Sequence, residues 1–405
     1  MIRPRVFLVR ALLALAVVVG VDVILSLTWL REGRAGKRPL PPFGIELDEP
    51  QLAILSRLEA GEVNPNTVTA FDRELGWCVR PGAVAAEGTI HINARGQRGL
   101  RDYSETPAPG RLRLACFGDS FTFCDEVQDE FTFEAFLERL APSVEALNYG
   151  VPAYGTDQAL LRMRRQGIDH AQVVVIGLLL ENIGRNVNRY RPLWNTRTMV
   201  PLAKPRFILE GERLKLVQQP FETGRDFALA LRAGTALGAL SRHEYWRDRP
   251  AVPTGRVSSL VRLGAGWIAY HERDPRRLWL DRDGEPRRVT IALLEAFRRE
   301  ALALGAKEIL VLMLPMRGEL DVYRTSGTAY WSGALEELAR LGIDCIDLAP
   351  ELAAAALRCE QDPKQQGSLY VSAHLSSVGN QVIAIAIERW LTKKKLLTPV
   401  GANRR

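Results

Sequence analysis

The chain has 405 residues with a formal net charge of +7, and 47% of its residues are hydrophobic and 25% charged. These proportions exclude a disordered or collagen-like polymer and allow one large domain with an insertion, or two smaller ones. The excess charge sits at the ends. Residues 1–40 carry a net +5 and the stretch from Thr392 another +5, which leaves −3 for the body, so the basic isoelectric point is no argument for nucleic acid.

Five cysteines (Cys78, Cys116, Cys124, Cys345, Cys359) show no CxxC spacing, so no zinc or redox motif is expected. No His, Asp or Glu cluster has metal-ligand spacing, and no Walker or dinucleotide loop is present; neither metal nor cofactor is implied.

Ala11 to Leu30 form a 20-residue apolar run containing one charge, Asp22. Such a run makes about 30 Å of helix, enough to cross a bilayer. Arg10 and Arg31 bracket it and Trp29 suits the interface. Asp22 costs roughly 2.5–3.5 kcal/mol in that position and needs a partner subunit or a tolerant long segment. Without a small-residue cleavage site, the segment is expected to be an uncleaved single-pass anchor in the cytoplasmic membrane, with the body outside the cytoplasm.

Residues 31–45 are charged and Pro-rich and read as a linker. Residues 46–65 suggest a short helix, and 66–110 are loop-rich with a strand-like piece from Thr89 to Asn93. A βα alternation then begins. Leu112–Phe117, Val144–Asn148, Val173–Leu179, Glu308–Leu314 and Ile343–Leu348 are short apolar runs of the kind buried on both faces of a sheet. Amphipathic stretches at 129–140, 156–167, 289–304, 330–341 and 377–391 lie between or after them. The pattern predicts an α/β sandwich on a mostly parallel sheet. Residues 187–288 interrupt it with a hairpin over 206–216, turning at Glu210-Gly211, and helical stretches near 226–245 and 256–271. They form an insertion between the third and fourth strands, either a cap on the site or a packing element. The expected organisation is an anchor and flank (1–38), a linker and N-terminal extension (39–110), and the α/β domain (111–395).

Four stretches carry chemistry. In LRLACFGDSFTF (112–123) a buried strand ends at Gly118-Asp119-Ser120, which exposes a serine at the crevice where parallel strands end. In EALNYGVPAYGTDQALL (145–161) a Gly-rich turn beside it can supply a backbone N–H. In VVVIGLLLENIGRNVNRY (173–190) an asparagine at the strand end can donate a side-chain amide. Asn182, Asn186 and Asn188 are the candidates, with Asn182 nearest the strand. In LYVSAHLSSVGNQVIAIAIERW (369–390), His374 lies on a loop just before the last helix, which Ser376 or Ser377 caps. Four other histidines (His91, His170, His243, His271) are expected to hold surface or structural roles.

GDSFTF, NYGVPAYGTDQ, the LLEN strand end and AHLSSVGN resemble, in order and rough spacing, the SGNH (GDSL) hydrolase superfamily. LGW (75–77) and INARGQRG (92–99) are similar to the leader of its membrane-anchored bacterial members. The resemblance implies a flavodoxin-like three-layer α/β/α sandwich with a five-stranded sheet, and hydrolysis or transfer of an ester-linked acyl group. It implies Ser120 as nucleophile and His374 as base. The implied oxyanion donors are the Ser120 N–H, a backbone N–H of the second motif (Gly150 or Ala153) and the Asn182 side chain. Ala153 stands where many members have glycine, and Glu181-Asn182 replaces the usual pair of the third motif. The family's acid, two or three residues before the histidine, is missing: those positions are Val371 and Ser372. A backbone carbonyl, Ser372, Asp347 or Asp362 is then left to orient the imidazole. Asp125 and Glu126 are expected to be ordinary surface acids. The substrate class implied is an acylated glycan, lipid or small molecule at the cell envelope, with water or a sugar hydroxyl as acceptor. The rival expectation, drawn from the missing acid, is a non-catalytic SGNH-fold scaffold or binding protein in polysaccharide handling.

Overall fold

The five apolar runs form one all-parallel sheet because each lacks a polar face to turn to solvent. In the computed structural model they are β1 (Leu112–Gly118), β2 (Val144–Gly150), β3 (Val173–Leu179), β4 (Glu308–Leu314) and β5 (Asp344–Asp347). Every residue of β2 and β3 is buried. The spatial order is 2-1-3-4-5, the flavodoxin-like order, whose ligand crevice opens where the order reverses beside β1 and β3. The structure describes residues 4–27, 34–35, 38–39, 47–62, 68–196, 198–247, 258–361 and 368–397.

Helices cover both faces. On one side, a helix at Phe133–Leu140 packs on the C-terminal helix Ser377–Lys393, which also meets Ala349–Gln361; on the other, Thr156–Gln166 packs on Glu285–Ala303. The expected three-layer sandwich is therefore present. Helices at Arg317–Ser326 and Ala349–Gln361 are additional to those read from the sequence. Residues 187–288 hold the hairpin Arg206–Glu210/Arg213–Val217, whose two-residue loop is Gly211-Glu212 rather than Glu210-Gly211. They also hold separate helices at Gly224–Arg232, Ala236–Ser241, Ser259–Glu272 and Pro275–Leu280. The N-terminal extension holds a helix at Glu49–Glu59 and an unanticipated hairpin, Thr69–Asp72 with Gly76–Val79. Of the expected linker, Arg34–Ala35 and Arg38–Pro39 form a short antiparallel pair; Trp29, Arg31 and most of the remainder lie outside the described residues.

Helix α1 (Pro4–Leu27) contains one window, Leu8–Leu25, long and apolar enough to cross a membrane. Asp22 finds partners within its own chain: its Oδ1 accepts 2.8 Å hydrogen bonds from Ser258 Oγ and from the Leu260 amide.

Three glycines decide what can sit on top of the sheet. Gly118 pairs with Gly150, and Gly177 lies one step beyond Ile176, the partner of Phe117. They form a row across β2, β1 and β3. A short helix, α2 (Ser120–Phe123), rests on that row. A Cβ at Gly118 or Gly177 would lie 2.1 Å from Thr122 Oγ1, and one at Gly150 would lie 2.2 Å from the Phe123 amide nitrogen. Since the atom met at Gly150 is backbone, it has no rotamer to escape into. Gly150→Ala should therefore destabilise by about 1–3 kcal/mol and lower the thermal unfolding midpoint. Gly318→Ala, where the added methyl meets nothing within 4 Å, should be neutral or slightly stabilising. Indistinguishable midpoints for the two variants would refute the packing argument.

Candidate active site

Ser120 is the first residue of α2. Asp119 caps that helix, its Oδ1 accepting from the Phe121 amide at 2.8 Å. Ser120 is buried by the surrounding loops, with 5% of its surface exposed. Opposite it, Tyr370–Val371 and His374–Leu375 form a small antiparallel pair, so His374 lies on a strand rather than a loop. Ser372, at φ 50°, makes the turn between the two strands, and Ser376 caps the last helix. The imidazole packs on the ring next to the serine: the Phe121 and His374 ring centroids are 5.3 Å apart. The structure thus brings the two elements carrying Ser120 and His374 to one rim of the sheet.

The acids beside the histidine come from an unexpected place. Asp125 and Glu126 are not ordinary surface acids. Glu126 Oε1 lies 3.3 Å from His374 Nδ1, and Asp125 Oδ2 lies 4.0 Å from Nε2. The Glu126 approach is off-angle, so Nδ1 is enclosed with a carboxylate neighbour but no formed hydrogen bond; resting sites are commonly this loose. Burial pushes the Asp125 carboxyl up to about 6, against the pull of His374 and Arg98. Cys124 (φ 60°) and Glu126 (φ 68°) adopt left-handed backbone conformations that L-residues rarely enter. The Asp125 amide donates to the Ser120 carbonyl at 3.0 Å, which ties this loop to α2. Asp347 cannot take the orienting role: it ends β5, three strands from β1, and caps the Ala349 amide. Asp362 lies outside the described residues.

The donors can be sorted by elimination. In the second motif the Gly150 amide donates to Asn148 Oδ1, that of Val151 to Gly118 O, that of Tyr154 to Val151 O and that of Gly155 to Gln158 Oε1. Pro152 has no N–H. Gly150 is therefore excluded as an oxyanion donor, because its amide is already used. Ala153 remains, at φ 65°, holding the left-handed conformation that a glycine would adopt without strain. In the third motif Asn186 bonds Thr290 Oγ1 and the Asp157 amide, and Asn188 bonds Tyr190 O. Asn182 is buried, and neither atom of its side-chain amide has a partner. It lies close enough to Asp119 to favour that carboxylate's charged form, as do Arg185 and the Phe121 amide, although burial outweighs them and pushes Asp119 up.

The N-terminal extension braces these loops, a role its sequence did not disclose. Arg98, from INARGQRG, donates to the Phe123, Cys124 and Val127 carbonyls and so grips the loop that carries Asp125 and Glu126. Trp77, from LGW, donates to the Pro152 carbonyl at 2.9 Å, and Tyr154 returns a bond to Trp77 O at 2.6 Å. His91 pairs with Asp129 at 2.8 Å, a structural contact as expected. All five cysteines are free.

No protein-family model matches this chain, and no curated protein matches its sequence. Among solved structures it is similar to the lipase/acylhydrolase from Enterococcus faecalis, at 15% identity over 72% of this chain and 100% of that one, with a TM-score of 0.34. It is also similar to a catalytic mutant of an acetylxylan esterase from Geobacillus stearothermophilus, at 13% identity over 70% of this chain and 95% of that one, with a TM-score of 0.33. At those scores the fold assignment rests on this chain's own strand order and layers.

Beneath the site, burial pushes the Glu134 carboxyl up to about 8. Its Oε2 accepts from the Cys124 thiol at 3.7 Å, and burial outweighs the pull of that thiol, of Arg98 and of Asn148. A carboxyl raised in the folded state contributes stability at low pH that is lost as pH climbs from the ordinary glutamate value through about 8. Glu134→Gln should match the wild type in unfolding midpoint near pH 5 and exceed it above pH 8. Parallel profiles for the two proteins would show that this carboxyl is not held neutral.

Proposed function

We propose that the protein is a serine-dependent ester hydrolase or O-acyltransferase of the SGNH type. The observation that carries this reading is a serine at the end of β1 with the His374 imidazole packed on the ring of its neighbour Phe121; the Ser120 and Ala153 amides and the Asn182 side chain are the donors it would use.

On this reading Ser120 Oγ attacks the ester carbonyl carbon while His374 takes its proton. The oxygen that becomes negative is held by the Ser120 and Ala153 amides and Asn182 Nδ2; donors fixed in advance stabilise developing charge without reorganisation. Collapse breaks the bond to the alcohol, which leaves with the proton from His374, and Ser120 remains acylated. Water or a sugar hydroxyl then gives its proton to His374 and takes the acyl group, regenerating the free serine. Water makes the reaction a hydrolysis, and a sugar hydroxyl makes it an acyl transfer.

Glu126 replaces the acid that is missing at Val371 and Ser372. Its carboxylate fixes Nδ1–H, leaving Nε2 to the serine, and with Asp125 it stabilises the imidazolium that forms during attack. This acid weighs against the non-catalytic scaffold reading, whose motive was an unsupported histidine. The apolar α1 favours a substrate at the membrane, an acylated envelope glycan or lipid, with the body outside the cytoplasm.

A labelled fluorophosphonate should modify the wild type and spare Ser120→Ala. Equal labelling of both, or of neither, would reject the catalytic reading in favour of the scaffold. Glu126→Gln should lower kcat/KM for a short-chain p-nitrophenyl ester about 10²-fold. An unchanged kcat/KM would remove Glu126 from the mechanism while leaving Ser120 and His374 in it.

A further inference from the structure

The helix α3 (Ser259–Glu272), inside the insertion, leaves a large apolar surface bare. Val261 is 50% exposed, Trp267 65%, Ile268 44% and Tyr270 62%. An exposed cluster of this kind on one helix marks an interaction surface. Its neighbour is α1, whose own apolar residues from Leu8 to Leu27 are equally bare.

The two helices are clipped together at Asp22. Asp22 Oδ1 accepts both the Ser258 hydroxyl and the Leu260 amide. Ser258 is the N-cap of α3 and also accepts the Val261 amide. The carboxylate thus meets the positive end of the helix dipole and two donors that the helix cannot satisfy itself. This offsets the cost of a charge within the apolar window of α1. Asp22 lies three residues before Leu25, where that window ends, about 4.5 Å along the helix axis. The first turn of α3 therefore starts at the depth of that window's edge. Its far end returns to the body: Arg273 donates to Leu193 O at 3.2 Å and stacks 5.2 Å over the Trp246 ring.

We propose that α3 is a second membrane-contacting element, an interfacial helix clipped to the anchor by Asp22, with Val261, Trp267, Ile268 and Tyr270 against lipid. The proposal rests on reading α1 as a membrane anchor. Lipid is the occupant because the bare face of α3 is continuous with that of α1 and begins at its depth. Trp267 and Tyr270 are also the side chains that favour the boundary between headgroup and acyl chain. The consequence is positional. Trp246 and Trp279 donate to the carbonyls of Gly184 and Leu180, in the segment that leaves β3 and carries Asn182. An interfacial α3 therefore holds the site's rim close to the bilayer surface, where an acylated lipid or lipid-linked glycan is presented.

The test uses the full chain in vesicles of phosphatidylcholine and phosphatidylglycerol, with the phosphatidylcholine replaced by a brominated analogue. The brominated lipid should quench part of the tryptophan emission, and Trp267→Phe should remove part of that quenched component. If the emission removed by Trp267→Phe is instead quenched by aqueous iodide and untouched by bromine, α3 faces water and the proposal is wrong. A photoreactive benzoylphenylalanine placed at Tyr270 gives a second readout. Crosslinks to lipid support the proposal; crosslinks to another copy or another protein overturn it. Release of the wild type from vesicles by alkaline carbonate would reject the anchor and α3 together, whereas retention with an aqueous Trp267 rejects α3 alone.

Discussion

The site depends on how closely a one-turn helix can approach the ends of three strands. Gly118, Gly150 and Gly177 leave no side chain between the sheet and α2, and Thr122 and Phe123 occupy the vacated space. Asn148 then closes the seam by donating to Thr122 O at 2.7 Å. With α2 pressed down, Ser120 begins a helix directly at the end of β1. A methyl at any of the three glycines would lift α2 and move the serine away from the donors on neighbouring loops. The glycine row thus fixes where Ser120 sits above the sheet.

The histidine support follows from the same compression. Because α2 lasts one turn, the chain must reverse at once, and it does so through left-handed Cys124 and Glu126. Such conformations cost roughly 1–2 kcal/mol each for non-glycine residues, and they persist where the surroundings over-determine them. Arg98 is that surrounding: its guanidinium holds the carbonyls on either side of the reversal, and Cys124 Sγ meets Asn380 Oδ1, at 3.4 Å, in the helix that follows His374. The reversal carries two carboxylates to the imidazole. The carboxylates absent from the histidine's own hairpin thus come from the loop that follows Ser120, and Arg98 braces that loop.

The sheet was legible in the sequence because strands buried on both faces leave continuous apolar runs, and all five were placed within a residue or two. The positions of Ser120, His374 and Asn182 in the fold were legible because each lies at a strand end or beside a helix start. Glu126 was not, since its partner lies about 250 positions away and its own neighbourhood, Cys124-Asp125-Glu126-Val127, reads as an ordinary polar turn. Gly150 was misread for a related reason: the sequence marks a flexible residue, but only the structure shows that Asn148 has taken its amide. Asp22 announced through its cost that it needed a partner. Nothing local could point to Ser258 and Leu260, more than 230 residues on.

The insertion is bound to the site too firmly to act as a detachable cover. Three indoles clasp the segment after β3: Trp194 donates to Glu181 Oε1, Trp246 to Gly184 O and Trp279 to Leu180 O. Gly184 itself must be a glycine, because a Cβ there would lie 2.3 Å from the Trp194 ring. Asn182 sits inside that clasp with its amide uncommitted. Its position is therefore set by the insertion, and only secondarily by the strand it follows. Truncating 187–288 would be expected to cost a donor as well as a wall. If α3 lies in the membrane surface, the same clasp transmits the plane of the bilayer to the oxyanion site, so that anchoring and catalysis share one set of contacts.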